Sequence, residues 1–462
     1  MSFSTLIFTV FFLPIFLIVN QIVFTRTDGN VRTENRVLLI FSMVFYLFSG
    51  LGGLLVLLIC ALVGWFGGRQ IEKSGGSKGA LIATITILIA VLAFFKYAGF
   101  FMTVFMPLGI SFYIFKIISY VADVYKGEID SEDDIRDFLL YVVCFHHVTQ
   151  GPIVRYGDMK DGMLHRKISS ANMAAGIYRF SLGLAKKVIL ADQMGSLANK
   201  FLPMSEEIAK MPTFGIWMGS IFFSLQMYLD FSAYTDMAIG LGQMSGFVYP
   251  ENFDYPYCSD SVKVFWRKWH ITLSFFFRDY VYIPLGGNRK GSGRTKVNLL
   301  IVWLLTGIWH GATWNFVLWG LYYFIFISLE NTMKDAEFHV PKFLKHIYVV
   351  FVFNFGWLIF RFTDFKLLGQ AVKGFFGFSE NFTSQVISVT LQNNVFIIII
   401  AVLACTPIFR NLRRWIEGKI RDREMSAGLV YGWKTVVSLA ALIIGVILMA
   451  GSSYQPFLYN QF

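Results

Sequence analysis

Apolar residues fall in long unbroken blocks along this chain, not in the narrow stripes of helices that pack in water. The longest run over 3–24, 37–66, 80–95, 299–329, 395–404 and 436–450. A bilayer core needs about 20 consecutive apolar residues per helix, and several blocks meet that length alone or as tilted or re-entrant pairs. The pattern therefore predicts an all-α, polytopic bundle of roughly ten to twelve membrane segments, some re-entrant or interfacial. All of it reads as one integral-membrane domain spanning 1–462. Block 37–66 is long enough to enter and return, bending near Gly50, Gly52 and Gly53. The first block has no basic n-region and is too long for a secretory h-region, so it reads as a retained helix.

Composition agrees. The 462 residues are 56% hydrophobic, 18% aromatic and only 15% charged, where a soluble domain carries about 25% charge. Lys and Arg outnumber Asp and Glu by 40 to 29, a net +11. The excess sits in short loops between apolar blocks, which is the pattern of cytoplasmic membrane loops rather than of a nucleic-acid surface. Arg26, Arg32 and Arg36 mark one such loop, Arg69, Lys73 and Lys78 a second, and Arg155, Lys160, Arg166 and Lys167 a third. Arg289, Lys290, Arg294 and Lys296 follow, then Lys334, Lys342 and Lys345. The densest run is Arg410, Arg413, Arg414, Lys419, Arg421 and Arg423. Cys60, Cys144, Cys258 and Cys405 are scattered without CxxC spacing, so neither a disulfide framework nor a metal site is expected.

Block 299–329 has basic loops at both ends, so it goes in and comes back. The natural bend is Gly307-Ile-Trp-His-Gly311, about a dozen residues in, or roughly 18 Å at 1.5 Å per residue. His310 is thereby expected near the middle of the bilayer, on a cavity, with Trp309, Trp314 and Trp319 as an apolar wall. An ionisable group at that depth is costly and is a functional candidate; imidazole, titrating near 6.5, suits a general base. The alternative is a packing histidine bonded to a backbone carbonyl. Read as one helix, Lys263, Arg267, His270, Ser274 and Arg278 share a face. That face would line a polar tunnel or rest on lipid headgroups. Asp230 and Asp236 lie in an otherwise apolar region and are expected to pair with cations of the 263–278 helix or to orient a histidine. The His146-His147 pair has no partner at metal-ligand spacing.

Several of these segments resemble one family. Phe253-Asp-Tyr-Pro-Tyr257, Phe265-Trp-Arg-Lys-Trp-His270 and Arg278-Asp-Tyr-Val-Tyr-Ile-Pro-Leu-Gly-Gly-Asn-Arg289 look like the central signature of bacterial membrane-bound O-acyltransferases (MBOAT). Leu304-Leu-Thr-Gly-Ile-Trp-His-Gly-Ala-Thr-Trp314 is similar to the segment that carries the family's histidine. Pro107-Leu-Gly-Ile-Ser-Phe-Tyr113, Gly151-Pro-Ile-Val-Arg155, Asp230-Phe-Ser-Ala-Tyr-Thr-Asp236 and the closing Tyr454-Gln-Pro-Phe-Leu-Tyr-Asn-Gln-Phe462 extend the likeness along nearly the whole chain. The wording is closest to the AlgI-like branch. Cys144-Phe-His-His-Val-Thr-Gln150 departs from it where many such chains carry a Phe-Pro-Gln type run.

The resemblance implies a helical bundle around a central funnel, with His310 catalytic and His270 the second family histidine. It implies a cytoplasmic acyl donor, acetyl-CoA, and O-acetylation of a cell-surface or exported polysaccharide in the bacterial cytoplasmic membrane. An extracytoplasmic SGNH-type acetyltransferase would be the partner. Arg267, Arg278, Trp309, Asp230 and Asp236 are the candidate substrate- or donor-binding residues; no metal, bound cofactor or nucleic acid is expected. A DltB-like D-alanyl transfer to teichoic acid, a carrier, and a non-catalytic scaffold are the rival readings.

Overall fold

The computed structural model describes residues 1–333, 340–421, 426–451 and 456–457. Lys334, Arg423 and most of the closing 454–462 motif lie outside the described residues. Every regular element among the described residues is helical. That is what a chain buried in hydrocarbon must do, because a helix satisfies its backbone N–H and C=O groups within itself. The chain forms two compact units with interleaved segments.

The first unit comprises 1–184, 234–251 and the described part of 434–460. It opens with a π-helical turn, Ile7–Phe12, that runs into α1 (Leu13–Arg26). Then follow α2 (Val31–Leu47), α3 (Leu51–Lys73), α4 (Lys78–Tyr97), α5 (Ile110–Lys126), α6 (Ile135–Val143), α7 (Tyr156–His165) and α8 (Ser170–Ala185). The expected bend in block 37–66 falls between α2 and α3, where Gly50 takes φ 104°. Leu51, Leu55, Ile59, Leu62 and Phe66 stand exposed at spacings of four, four, three and four along α3, a stripe suited to lipid. The opposite face is small. A Cβ at Gly64 would strike Ile117, at Gly67 Thr84, and at Gly68 Tyr120. Small residues let α3 approach α4 and α5 closely, the usual basis of helix association in a membrane.

The departing His146-His147 pair is packed inside this unit. His146 Nδ1 lies 3.0 Å from the Tyr249 hydroxyl and its Nε2 3.3 Å from Ser245 Oγ. His147 Nδ1 meets the buried Lys116 ammonium at 3.1 Å, and that ammonium also donates to the Tyr141 and Val142 carbonyls. Among the described residues no group of His, Cys, Asp and Glu has metal-ligand geometry.

The second unit comprises 185–233 and the described part of 252–433. It holds α9 (Asp192–Phe201) and residues 213–233 of α10 (Thr213–Met244), followed by the short α11 (Val262–Lys268) and α12 (Ile271–Phe277). Beyond them run α13 (Gly291–His310), α14 (Trp314–Thr332), α15 (Lys342–Arg361), α16 (Phe365–Phe375), α17 (Gln385–Ala404) and α18 (Ile408–Arg421). The last helix, α19 (Ser426–Gly451), continues into the first unit's segments. Six described helical stretches are long and apolar enough to cross a membrane: Ile7–Arg26, Leu51–Lys73, Lys78–Tyr97, Lys342–Arg361, Gln385–Ala404 and Gly428–Gly451.

Block 299–329 does bend where its glycines predicted, with α13 ending at His310 and α14 starting at Trp314. Glycines bring the two arms into backbone contact. A Cβ at Gly307 would collide with the Phe316 carbonyl, and one at Gly320 with that of Trp303. At Gly311 the φ of −179° suits any residue, so the requirement there is spatial: the Phe316 ring lies against it. Inserting methyls into such a contact costs about 1–3 kcal/mol. Gly320→Val is expected to lower the thermal unfolding midpoint of the detergent-solubilised protein by several degrees. Gly293→Ala, on the same hairpin but with open space around it, should hold or raise that midpoint.

Candidate active site

Two histidines meet the same tryptophan. The His310 ring centroid is 4.6 Å from that of Trp309, and His270 approaches Trp309 at 6.4 Å. Both imidazoles are almost wholly buried, at 5% and 2% exposure. Other aromatic rings flank His310: Trp319 and Phe360 present edges at 5.0 Å, and Phe316 stacks at 6.3 Å. Trp309 and Trp319 thus form the expected apolar wall. Trp314 does not; it is 74% exposed. It opens α14 one residue before the inward-facing pair Asn315 and Phe316, and a helix turns its side chains by about 100° per residue.

The hairpin is fastened to α15 by a residue the sequence reading passed over. Asn315 donates from Nδ2 to the Ile359 and Phe360 carbonyls at 3.3 and 3.1 Å. The Thr313 hydroxyl donates to its Oδ1 at 2.5 Å. Those bonds hold Phe360 against His310. Next along α15, the buried Arg361 donates to the Leu202 carbonyl at 2.9 and 3.2 Å and to Asn199 Oδ1 at 2.9 Å. Intramembrane polarity was the available signal for Asn315, since it sits in the same apolar block as His310.

His270 lies in a break, not on a continuous helix as the 263–278 pattern suggested. α11 stops at Lys268, and His270 takes φ 44° before α12 begins. A non-glycine residue in that left-handed region marks a held conformation. What holds it is Asn252. Its Oδ1 accepts from the Thr272 backbone N–H at 3.2 Å and the Thr272 hydroxyl at 2.9 Å, which fixes the amide's orientation. The same oxygen stands 3.1 Å from His270 Nδ1, so Nδ1 is the protonated nitrogen and Nε2 carries the lone pair. Phe231 closes over the ring edge-on at 4.8 Å. His270 lies outside the six crossing helices, and burial pushes its imidazole down to about 3. The ring is therefore neutral near pH 7.

The break also disperses the proposed polar face. Lys263 Nζ donates to Asn331 Oδ1 at 2.8 Å, and Ser274 bonds the Trp266 carbonyl at 3.2 Å. Arg267 is exposed on α11. Arg278 pairs with its neighbour Asp279 at 2.6 Å and lies 4.5 Å over the Phe275 ring. The aspartates, too, have other partners than expected. Asp230 pairs with the buried Lys187 at 2.8 Å, which also holds Asp192 at 2.7 Å. Asp236 pairs with Arg179 at 3.0 Å, which holds Glu251 at 2.6 Å. Six residues of helix turn a side chain by about 600°, so the two carboxylates of α10 leave on different faces. Lys187, hidden in an apolar run, gave no sign of this pairing.

One open cleft of about 650 Å³ lies beside α11, lined by Cys258, Ser259, Asp260, Lys268, Lys342 and His346 among others. His346 Nδ1 is 3.0 Å from the Ser259 carbonyl, which fixes that nitrogen as a donor. Two lysines against one aspartate give the cleft a cationic lining.

Taken together, these features define a multi-span helical membrane protein with a buried histidine among aromatic rings at a helix break. The chain belongs to the membrane-bound O-acyltransferase family: residues 129–369 match the model of MBOAT, membrane-bound O-acyltransferase family. It is 32% identical to a probable alginate O-acetylase AlgI of Pseudomonas putida over all of both chains. It is 29% identical to a peptidoglycan O-acetyltransferase of Helicobacter pylori, over all of this chain and 97% of that one. A teichoic acid D-alanyltransferase of Bacillus subtilis is 27% identical over 48% of this chain and 58% of its own length. The chain is an O-acyltransferase of the AlgI-like kind.

Two outcomes test the His270 arrangement. Asn252→Ala strands three donors and should cost about 1–3 kcal/mol of stability, read as a lowered unfolding midpoint. The second is a pH dependence. The folded imidazole stays neutral while the unfolded one gains a proton below about 6.5. Its burial therefore lowers stability as pH falls through that value. Against His270→Gln, wild type should lose about 1.4 kcal/mol per pH unit below about 6, seen as converging midpoints.

Proposed function

We propose that this protein moves acetyl groups from a cytoplasmic thioester donor, acetyl-CoA, across the bacterial cytoplasmic membrane for O-acetylation of a cell-surface or exported polysaccharide. The single observation that carries the reading is the convergence of His310 and His270 on Trp309. His310 acts as general base. It takes the proton of an acceptor hydroxyl, whose oxygen attacks the thioester carbonyl. The new C–O ester bond forms as the C–S bond breaks, and the proton passes to the departing thiolate. The aromatic walls exclude water and so favour transfer over hydrolysis. His270, neutral and fixed by Asn252, orients a group from its Nε2 side.

The cleft lined by Lys268 and Lys342 supports an anionic donor better than Arg278 does, since Arg278 is already paired. α13 and α14 enter and leave as a re-entrant pair, and with the other long helices bring the membrane segments to ten to twelve. Residues 1–462 act as one membrane domain, a reading supported by the interleaving of the two units in sequence. The names of the P. putida and H. pylori relatives support a polysaccharide or peptidoglycan acceptor. An extracytoplasmic SGNH-type acetyltransferase completes the modification. The second reading, D-alanyl transfer to teichoic acid, is supported by the B. subtilis relative over half the chain.

Surface-polysaccharide ester, released by mild base from cells carrying equal membrane amounts of each variant, tests this. His310→Ala should lower ester formation by about 10²–10⁴-fold, the range of a lost general base. Ester at the wild-type level in that variant would leave a carrier or scaffold as the role. Released D-alanine in place of acetate would favour the second reading.

A further inference from the structure

The basic run singled out from the sequence is a helix that the acyl-transfer chemistry does not use. α18 (Ile408–Arg421) is amphipathic: at 100° per residue, Ile408, Phe409, Leu412, Trp415 and Ile416 share one side. Four of these large apolar residues are about half exposed, Ile408 at 47%, Phe409 at 46%, Leu412 at 48% and Trp415 at 62%. In sequence the helix lies between two membrane-crossing stretches, Gln385–Ala404 and Gly428–Gly451. The connection it forms between them is short, which keeps α18 near one face of the membrane.

Its charges divide into two sets. Arg410 is spent inside the fold: it pairs with Asp254 at 3.0 Å and lies 4.6 Å over the Tyr255 ring. Arg413 stands 3.9 Å from Glu417. Arg414 and Lys419, by contrast, are exposed. Arg414 stands off the apolar face, and Lys419 lies within it, one turn beyond Trp415, where its aliphatic stem can run along the apolar surface while its ammonium reaches the headgroups. An apolar face carrying exposed cations in this way seats a helix at the headgroup level and draws acidic lipids to it.

We propose that α18 is an interfacial helix that binds the anionic phospholipids of the cytoplasmic leaflet, its apolar face in the acyl boundary and Arg414 and Lys419 on the lipid phosphates. The Arg410–Asp254 pair ties this helix to the segment that carries Asn252. Lipid held at α18 therefore bears on the loop that fixes His270.

The test needs no activity. Full-length protein is reconstituted in phosphatidylcholine vesicles with 5 mol% of brominated phosphatidylglycerol or, in parallel, 5 mol% of brominated phosphatidylcholine. Quenching of Trp415 is read as the difference between the protein and its Trp415→Phe variant. Brominated phosphatidylglycerol should quench Trp415 several-fold more strongly, since each basic residue near the surface enriches acidic lipid by about fivefold. In Arg414→Gln/Lys419→Gln the two lipids should quench alike. Equal quenching in the unsubstituted protein would overturn the proposal by making α18 a neutral anchor. Quenching by neither lipid would overturn it as well, because the apolar face would then be covered by protein.

Discussion

The close approach of α13 to α14 is the contact on which the site depends. Gly307 and Gly320 let each arm touch the other's backbone carbonyl, and Gly311 makes room for the Phe316 ring. With any larger side chain the arms would part, and the break at 311–313 would no longer hold His310 among Trp309, Phe316, Trp319 and Phe360. Where lipid surrounds the protein, apolar association gives little force between helices, so shape complementarity of this kind carries more of the work than in water.

Around that contact, amide side chains fix what the glycines bring together. Asn315 binds two carbonyls at the end of α15, and Asn252 binds His270 and Thr272 across the α11–α12 break. Both act where a helix stops and backbone groups lose their internal partners. An amide can satisfy donors and acceptors without bringing charge into a low-dielectric region, which an aspartate could not do at the same cost. The carboxylates that are buried have cations beside them: Asp230 with Lys187, and Glu34 with Arg166 at 3.4 Å.

An O-acyltransferase needs a base that stays neutral and dry yet can be reached from two directions. Both histidines on Trp309 are buried, and burial holds the His270 imidazole neutral. Outside the site the same economy appears in the packed His146, His147 and Lys116, whose bonds go to neighbouring hydroxyls and carbonyls.

The sequence by itself determined the membrane class and the helix bends. Block length and glycine position are local properties, and the backbone in hydrocarbon has few alternatives to a helix. His310 was legible as a rare polar group in an apolar run, and His270 as a member of a basic stripe. Partner choice was not. The 263–278 pattern read as one helix, but Asn252, eighteen residues upstream, stabilises a left-handed break at His270 that no local periodicity encodes. Asp230 and Asp236 took Lys187 and Arg179 because helix rotation sends them to different faces. Trp314 turned outward and Asn315 inward on the same grounds. Such pairings depend on which distant segments pack together, so only the tertiary structure could decide them.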